Sequence, residues 1–133
     1  MYVSKEKRGM LAKTAMIIDD DVDFSTLLTN FLERRKIHVL TVHTLAEAED
    51  YLSYLKPTIV FLDNSFPEGL GINFIHCIKE VDPQIKVIMM TGDTADWIYE
   101  KAVAEGIDYF LQKPLNFQKI NAVLDELNVE KIS

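Results

Sequence analysis

The sequence predicts an α/β domain in which five strands of a parallel sheet alternate with five helices covering both sheet faces. Three observations carry that expectation. Five short blocks are predominantly apolar rather than alternating, as strands buried on both faces are. Between them, apolar residues recur at three- and four-residue spacing, the stripe of a helix packed on one side. Blocks and stripes also alternate in the order βα, five times over, which suits a parallel sheet with crossover helices.

The elements follow in order. Ala15 to Ile18 is the first strand, and Asp19, Asp20 and Asp21 follow it directly. Phe24, Leu27, Leu28, Phe31 and Leu32 fall at i, i+3, i+4, i+7 and i+8 and mark the first helix. Asp21 is suited to cap that helix, because a carboxylate accepts from free N–H groups and favours the positive end of the dipole. Ile37 to Val42 is rich in β-branched residues and reads as the second strand, followed by Leu45, Ala48, Leu52 and Leu55 at helical spacing. Thr58 to Leu62 is the third strand, ending at Asp63. A loop with Pro67, Gly69 and Gly71 comes next. Ile75 and Ile78 belong to a short helix that stops near Asp82-Pro83, since the residue before proline disfavours helix. Ile85 to Met90 is the fourth strand, ending at Thr91-Gly92. Asp93 to Glu105 is helical with Gly106 as its stop, Ile107 to Leu111 is the fifth strand, and Lys113-Pro114 follows. Phe117, Ile120, Leu124 and Leu127 mark the last helix.

A chain of 133 residues with 48% hydrophobic content can bury one core and suits one domain. Residues 1–13 read as a basic N-terminal tail without the apolar centre of a secretory signal, 14–128 as the domain, and 129–133 as a C-terminal tail. The net charge of −7 argues against direct binding of nucleic acid or anionic membrane, which call for basic patches. No apolar run approaches the roughly 18 residues of a membrane span. The single cysteine, Cys77, excludes an internal disulfide, fits a reducing, cytoplasmic setting, and reads as a buried, inert thiol.

The chemistry gathers at strand ends. Asp19 and Asp20 follow the first strand, Asp63 the third, Thr91 closes the fourth and Lys113 follows the fifth. The ligand crevice of an open α/β sheet lies at that edge. Carboxylates gathered within a few Å repel; two charges 4 Å apart cost about 4 kcal/mol at an effective dielectric near 20. A divalent cation offsets that repulsion, and hard oxygen ligands favour Mg²⁺. Lys113 adds one more positive charge. A phosphoryl oxygen could then accept from Lys113 and from the Thr91 hydroxyl, in a site that supplies positioning and charge neutralisation.

Together MIIDDD at the first strand end, FLDNSFP around Asp63, MMTGD at Thr91 and GIDYFLQKP at Lys113 closely resemble the response-regulator receiver domains of two-component signalling. The resemblance spans about residues 14–128. It implies a CheY-like, flavodoxin-like sheet of order 2-1-3-4-5 and a phosphoacceptor, Asp63, charged by a sensor histidine kinase or phosphotransfer protein. It implies Mg²⁺ held by Asp20 and Asp63, with Asp19 acting largely through water and Ser65 lending a backbone carbonyl. Lys113 would contact the phosphoryl group, Thr91 and Phe110 would act as the switch, and the Lys113-Pro114 bond would be cis. Such a domain is a switch rather than an enzyme, passing its state to a downstream effector protein. It either stands alone or forms part of a longer regulator, and it has scope for a homodimer through the fourth helix, fifth strand and fifth helix. Phe110 departs from the commoner tyrosine, and Tyr109 beside it should face the other side of the sheet. Phe66 stands where methionine is usual, while Ser65 and Asp93 occupy positions that tune phosphate lifetime in the family.

Other readings are weaker. Asp19, Asp21, Asp23 and Ser25 have the early spacing of a calcium loop, but Phe24 and Asn30 stand where glycine and glutamate are needed. His38, His43 and His76 lack metal-binding spacing and read as ordinary surface or strand residues. A haloacid-dehalogenase-type phosphatase also uses a strand-end Asp, Thr and Lys with Mg²⁺, but it needs acidic ligands after the lysine, and nothing suitable follows Lys113. A degenerate receiver is disfavoured because every acidic and basic position is filled. Trp97, Ile98 and Tyr99 are expected in the core, with a docking surface as the alternative.

Overall fold

A computed structural model describes residues 14–92 and 95–127; the tails expected at 1–13 and 129–133, and Asp93, lie outside the described residues. The elements are β1 (Thr14–Ile18), α1 (Val22–Arg34), β2 (His38–Val42), α2 (Leu45–Leu52), β3 (Ile59–Asp63), α3 (Ile75–Val81), β4 (Lys86–Thr91), α4 (Asp96–Ala104), β5 (Tyr109–Gln112) and α5 (Phe117–Leu127). The strands form one parallel sheet in the order β2-β1-β3-β4-β5, the flavodoxin-like arrangement.

Side chains of a strand point alternately to the two faces, and this divides the core into two layers. Met16, Ile18, Val60, Leu62, Val87 and Met89 meet α2, α3 and α4 on one face. Ala15, Ile17, Ile59, Phe61, Ile88 and Met90 meet Leu28 and Leu32 of α1 and Ile120, Val123 and Leu124 of α5 on the other. The three central strands are buried on both faces, which is why they read as unbroken apolar runs. β2 and β5 lie at the sheet edges and are only partly buried. Truncating a fully buried leucine such as Leu28 or Leu32 to alanine should cost about 2–5 kcal/mol.

Local signals set the helix ends. Asp21 caps α1 by accepting from Phe24 N–H at 3.0 Å. Thr44 caps α2 by accepting from Glu47 N–H at 3.0 Å. Lys36 closes α1 with φ 64°, letting Ile37 N–H bond back to the Leu32 carbonyl at 3.2 Å. Gly106, with φ 96°, closes α4 in the same way through Ile107 N–H and the Ala102 carbonyl. The Lys113-Pro114 peptide is cis.

Several expectations are corrected. α4 spans Asp96–Ala104, shorter than the helix expected from Asp93. The loop after β3 folds into a small antiparallel ladder, Ser65–Phe66 with Gly69–Leu70, and a 3₁₀ turn over Gly71–Phe74. Of the three bulky residues on α4, only Ile98 enters the core; Trp97 and Tyr99 are each 53% exposed. A single helix stripe meets the sheet, and their neighbouring positions turn them to its outer side. Cys77 is half-buried rather than fully buried. Phe110 and Tyr109 take opposite layers, as alternation requires.

Candidate functional site

The site is assembled by sheet register. β1 lies between β2 and β3, so the chain's direction across the sheet reverses there, and the strand ends open a crevice. Ile18 pairs with Leu62, which places Asp19 and Asp63 at adjoining ends of β1 and β3. Asp63 is in register with Met90, and Thr91 is the next residue along β4. Thr91 pairs with Gln112, the last residue of β5, so Lys113 enters from the same edge. Lys113 N–H also donates to the Thr91 carbonyl at 2.9 Å.

Asp19, Asp20 and Asp63 each offer a carboxylate oxygen, all within 4.8 Å of one another. Asp19 is fully buried, Asp63 nearly so, and Asp20 exposed. Lys113 Nζ bridges the two buried groups, 2.8 Å from Asp19 Oδ2 and 3.1 Å from Asp63 Oδ1. The other Asp19 oxygen accepts from Asp21 N–H at 2.9 Å, and Asp63 Oδ2 accepts from Ser65 N–H at 3.2 Å. One ammonium against several carboxylates leaves an excess of negative charge. Burial pushes the Asp63 carboxyl above its ordinary range, the Asp19 charge adds to that, and Lys113 and Ser65 N–H pull the other way. Burial works against the Lys113 ammonium, but Asp19 and Asp63 outweigh it and hold its pKa above the usual lysine value. An all-oxygen, anionic donor set with an unbalanced charge fits a hard divalent cation.

The backbone under Asp63 is tightly held. Asn64 is buried; its N–H donates to the Met90 carbonyl at 3.2 Å, and its side-chain oxygen accepts from Ile72 N–H at 3.0 Å. Gly71 N–H donates to the Asn64 carbonyl at 2.9 Å. A Cβ on Gly71 would sit 2.0 Å from the Asp63 carbonyl oxygen, so only glycine permits this approach.

Of the residues singled out from sequence, Asp19, Asp20, Asp63 and Lys113 converge, with Ser65 bonded to Asp63. Thr91 is buried beside them at the end of β4. Phe110 lies in an apolar layer, its ring edge-on to Tyr99 at 5.3 Å. Three neighbours escaped the sequence reading. His43 Nδ1 donates to the Asp19 carbonyl at 2.8 Å, which fixes the tautomer with hydrogen on that nitrogen. The strand order points to the neighbourhood though not the bond, since β2 ends beside β1. The Phe24 ring lies under Lys113 Nζ, 4.4 Å from its centroid. Glu68, in the loop after Asp63, accepts from Leu45 N–H at 3.1 Å and Ala46 N–H at 3.2 Å, tying that loop to the start of α2.

A five-stranded doubly covered sheet with an acidic pocket and one lysine at its switch point defines the class of flavodoxin-like α/β domains that carry their chemistry at the strand ends. Within that class, the family model for the response regulator receiver domain matches residues 15–125, and the chain belongs to that family. It is 27% identical over 109 residues to the photosynthetic apparatus regulatory protein RegA of Rhodovulum sulfidophilum, covering 82% of this chain and 60% of that protein. Against the Transcriptional regulatory protein DpiA of Escherichia coli the identity is 23%, with 53% of that protein covered, so the chain spans a little over half the length of these curated relatives. Among solved structures, it resembles a response regulator from Burkholderia pseudomallei with a phosphorylated aspartic acid, calcium ion and citrate. The TM-score is 0.79 at 28% identity, over 89% of this chain and 72% of that one. The beryllofluoride-activated NtrC4 receiver domain dimer matches at TM-score 0.81 and 31% identity, over 90% of this chain and 99% of that one.

Proposed function

We propose that Asp63 is the phosphoacceptor of a two-component switch, charged by a phosphohistidine on a sensor histidine kinase or phosphotransfer protein. The carrying observation is the position of Lys113, bridging Asp63 and Asp19 beside Asp20. In the transfer, an Asp63 carboxylate oxygen attacks phosphorus, the P–N bond to the histidine breaks, and the imidazole leaves with its electron pair. Lys113 donates to the incoming phosphoryl oxygens and offsets charge there, and the Thr91 hydroxyl accompanies it. Asp19, Asp20, Asp63 and the Ser65 carbonyl would hold Mg²⁺, which would supply charge neutralisation for the dianionic group.

The acyl phosphate carries about −1.5 to −2 charges where the carboxylate carried one, and brings three acceptor oxygens, enough to shift a two-state loop and helix. Thr91 and Phe110 are the elements proposed to carry that shift toward α4, whose Trp97, Tyr99 and Val103 are exposed. That α4-β5-α5 face would meet a downstream effector or a second copy. The receiver unit comprises residues 14–128, acts in the cytoplasm, and is a switch rather than a turnover enzyme. No helix of the described residues is long and apolar enough to cross a membrane.

Intact-mass measurement after acetyl phosphate and Mg²⁺ should show one added phosphoryl group mapping to the Asp63 peptide, absent in Asp63→Asn. Labelling that persists in Asp63→Asn would move the acceptor elsewhere. Lys113→Ala should fold yet fail to give the beryllofluoride-induced change in Trp97 fluorescence.

A further inference from the structure

Four residues of the site form a closed circuit. Lys113 Nζ donates to Asp19 Oδ2 at 2.8 Å; Asp19 Oδ1 accepts from Asp21 N–H at 2.9 Å. Asp21 Oδ1 accepts from Phe24 N–H at 3.0 Å, and the Phe24 ring returns to Lys113 Nζ, 4.4 Å from its centroid. The helix cap that starts α1 therefore also places an aromatic face against the lysine. An ammonium has three N–H donors and no acceptor. Two carboxylates, Asp19 and Asp63, engage it from the pocket, and the ring quadrupole attracts it from another side.

We propose that Phe24 is a positioning residue that holds the Lys113 ammonium over Asp63 and thereby sets how tightly a phosphoryl group is retained. This rests on the phosphoryl reading of the pocket. When a phosphoryl group arrives, Lys113 must trade part of its pairing with Asp19 for the new oxygens. The carboxylate contacts change in that trade, whereas the ring contact persists and keeps a long, flexible side chain from swinging out to solvent. Phe24 also lines, with Leu27, Pro114, Leu115 and Phe117, a cavity of about 480 Å³ that reaches Lys113. Removing the ring would enlarge that opening beside the ammonium.

The test compares Phe24→Leu, which keeps an apolar side chain and loses the quadrupole, with Phe24→Tyr, which keeps the aromatic face. Beryllofluoride affinity at saturating Mg²⁺ should fall about tenfold in Phe24→Leu, the scale of a partly desolvated cation–π contact, and recover in Phe24→Tyr. Affinity for Mg²⁺ alone, followed by amide NMR shifts, should stay unchanged in both, because the three carboxylates are untouched. A general loosening of the site would lower both affinities together and overturn the inference, as would equal loss in Leu and Tyr or wild-type affinity in Phe24→Leu. An independent readout is the Lys113 side-chain CH₂ proton shift, displaced upfield by the ring in wild type and in Phe24→Tyr but not in Phe24→Leu. If the wild-type protein fails to bind beryllofluoride, the phosphoryl reading falls with the proposed role in retention. The ring-current shift then reports separately on whether the contact exists.

Discussion

Each end of the sheet carries a lysine–aspartate pair, and the two pairs are built differently. At the N-terminal edge, Lys79 meets Asp108 at 2.9 Å. Lys79 also donates to the Ile85 carbonyl at 2.7 Å, and the same Asp108 oxygen accepts from Val87 N–H at 2.8 Å. One positive charge meets one negative charge, and backbone partners complete the set. At the C-terminal edge, Lys113 faces Asp19 and Asp63 with Asp20 close by. The first pair is finished and ties α3 to the strands beneath it. The second is left with surplus negative charge, so a cation or an anion carried with one can enter. What distinguishes the two pairs is charge balance, not distance.

The sharpest break between the two ends comes from neutralising one carboxylate in each. Asp63→Asn should abolish acyl-phosphate labelling, whereas Asp108→Asn should label like wild type. Stability should move in opposite directions. The Asp63 carboxyl has a raised pKa in the folded state, so its ionisation opposes folding once pH passes the unfolded value near about 4. In metal-free buffer at neutral pH, Asp63→Asn should therefore unfold at higher denaturant concentration. Asp108→Asn removes the charge from a satisfied pair and should unfold at lower concentration. A shift of the same sign in both variants would erase the distinction drawn between the ends.

Next in size is a change that leaves every charge in place. Gly71→Ala would press a methyl group onto the Asp63 carbonyl, where the gap to an added Cβ is only 2.0 Å. Displacing the acceptor by about 1 Å should slow labelling by about 10²-fold. Labelling at the wild-type rate would show that the backbone under Asp63 yields freely.

Much of this was legible in the chain. Unbroken apolar blocks such as Ile59 to Leu62 exist because the central strands are covered on both sides, and that burial is written directly in composition. The strand-end placement of Asp19, Asp20, Asp63 and Lys113 was visible for the same reason: once strands are located, their ends are too. The supporting contacts were not visible. Phe24 reads as one more apolar residue in the α1 stripe, and its contact with Lys113 depends on how α1 and the end of β5 meet in the fold. Glu68 reads as a loop charge, and its bond to the start of α2 depends on a turn whose shape no local pattern specified. Trp97 and Tyr99 lie outside the core because bulk does not decide burial: a nine-residue helix has one stripe to bury, and Ile98 and Ala102 fill it.

The balanced pair should itself matter for stability alone. Lys79→Met removes the ammonium and leaves Asp108 half-buried, with Val87 N–H still donating to it. The cost should be about 1–2 kcal/mol in chemical denaturation, the scale of a partly buried charged hydrogen bond. The labelling rate at Asp63 should not change, and a slowed rate would mean that the two ends communicate.

The smallest effect concerns Cys77, which lies on α3 two residues before Lys79 and reports on how firmly that helix is seated. Burial pushes the thiol pKa up, and the Glu49 and Glu80 charges add to the push. The thiolate is the reactive form, so a raised pKa means a smaller reactive fraction at any pH below it. Iodoacetamide should therefore alkylate Cys77 a few-fold more slowly than a free cysteine at pH 8, with the rate still climbing at pH values where the free thiol has levelled off. Lys79→Met loosens the link between α3 and β5 and should raise that rate by exposing the thiol, whereas Lys113→Ala, at the opposite edge, should leave it alone. Equal acceleration by both variants would show that the two ends of the sheet are one cooperative unit, and the balanced pair would then lose its purely local meaning.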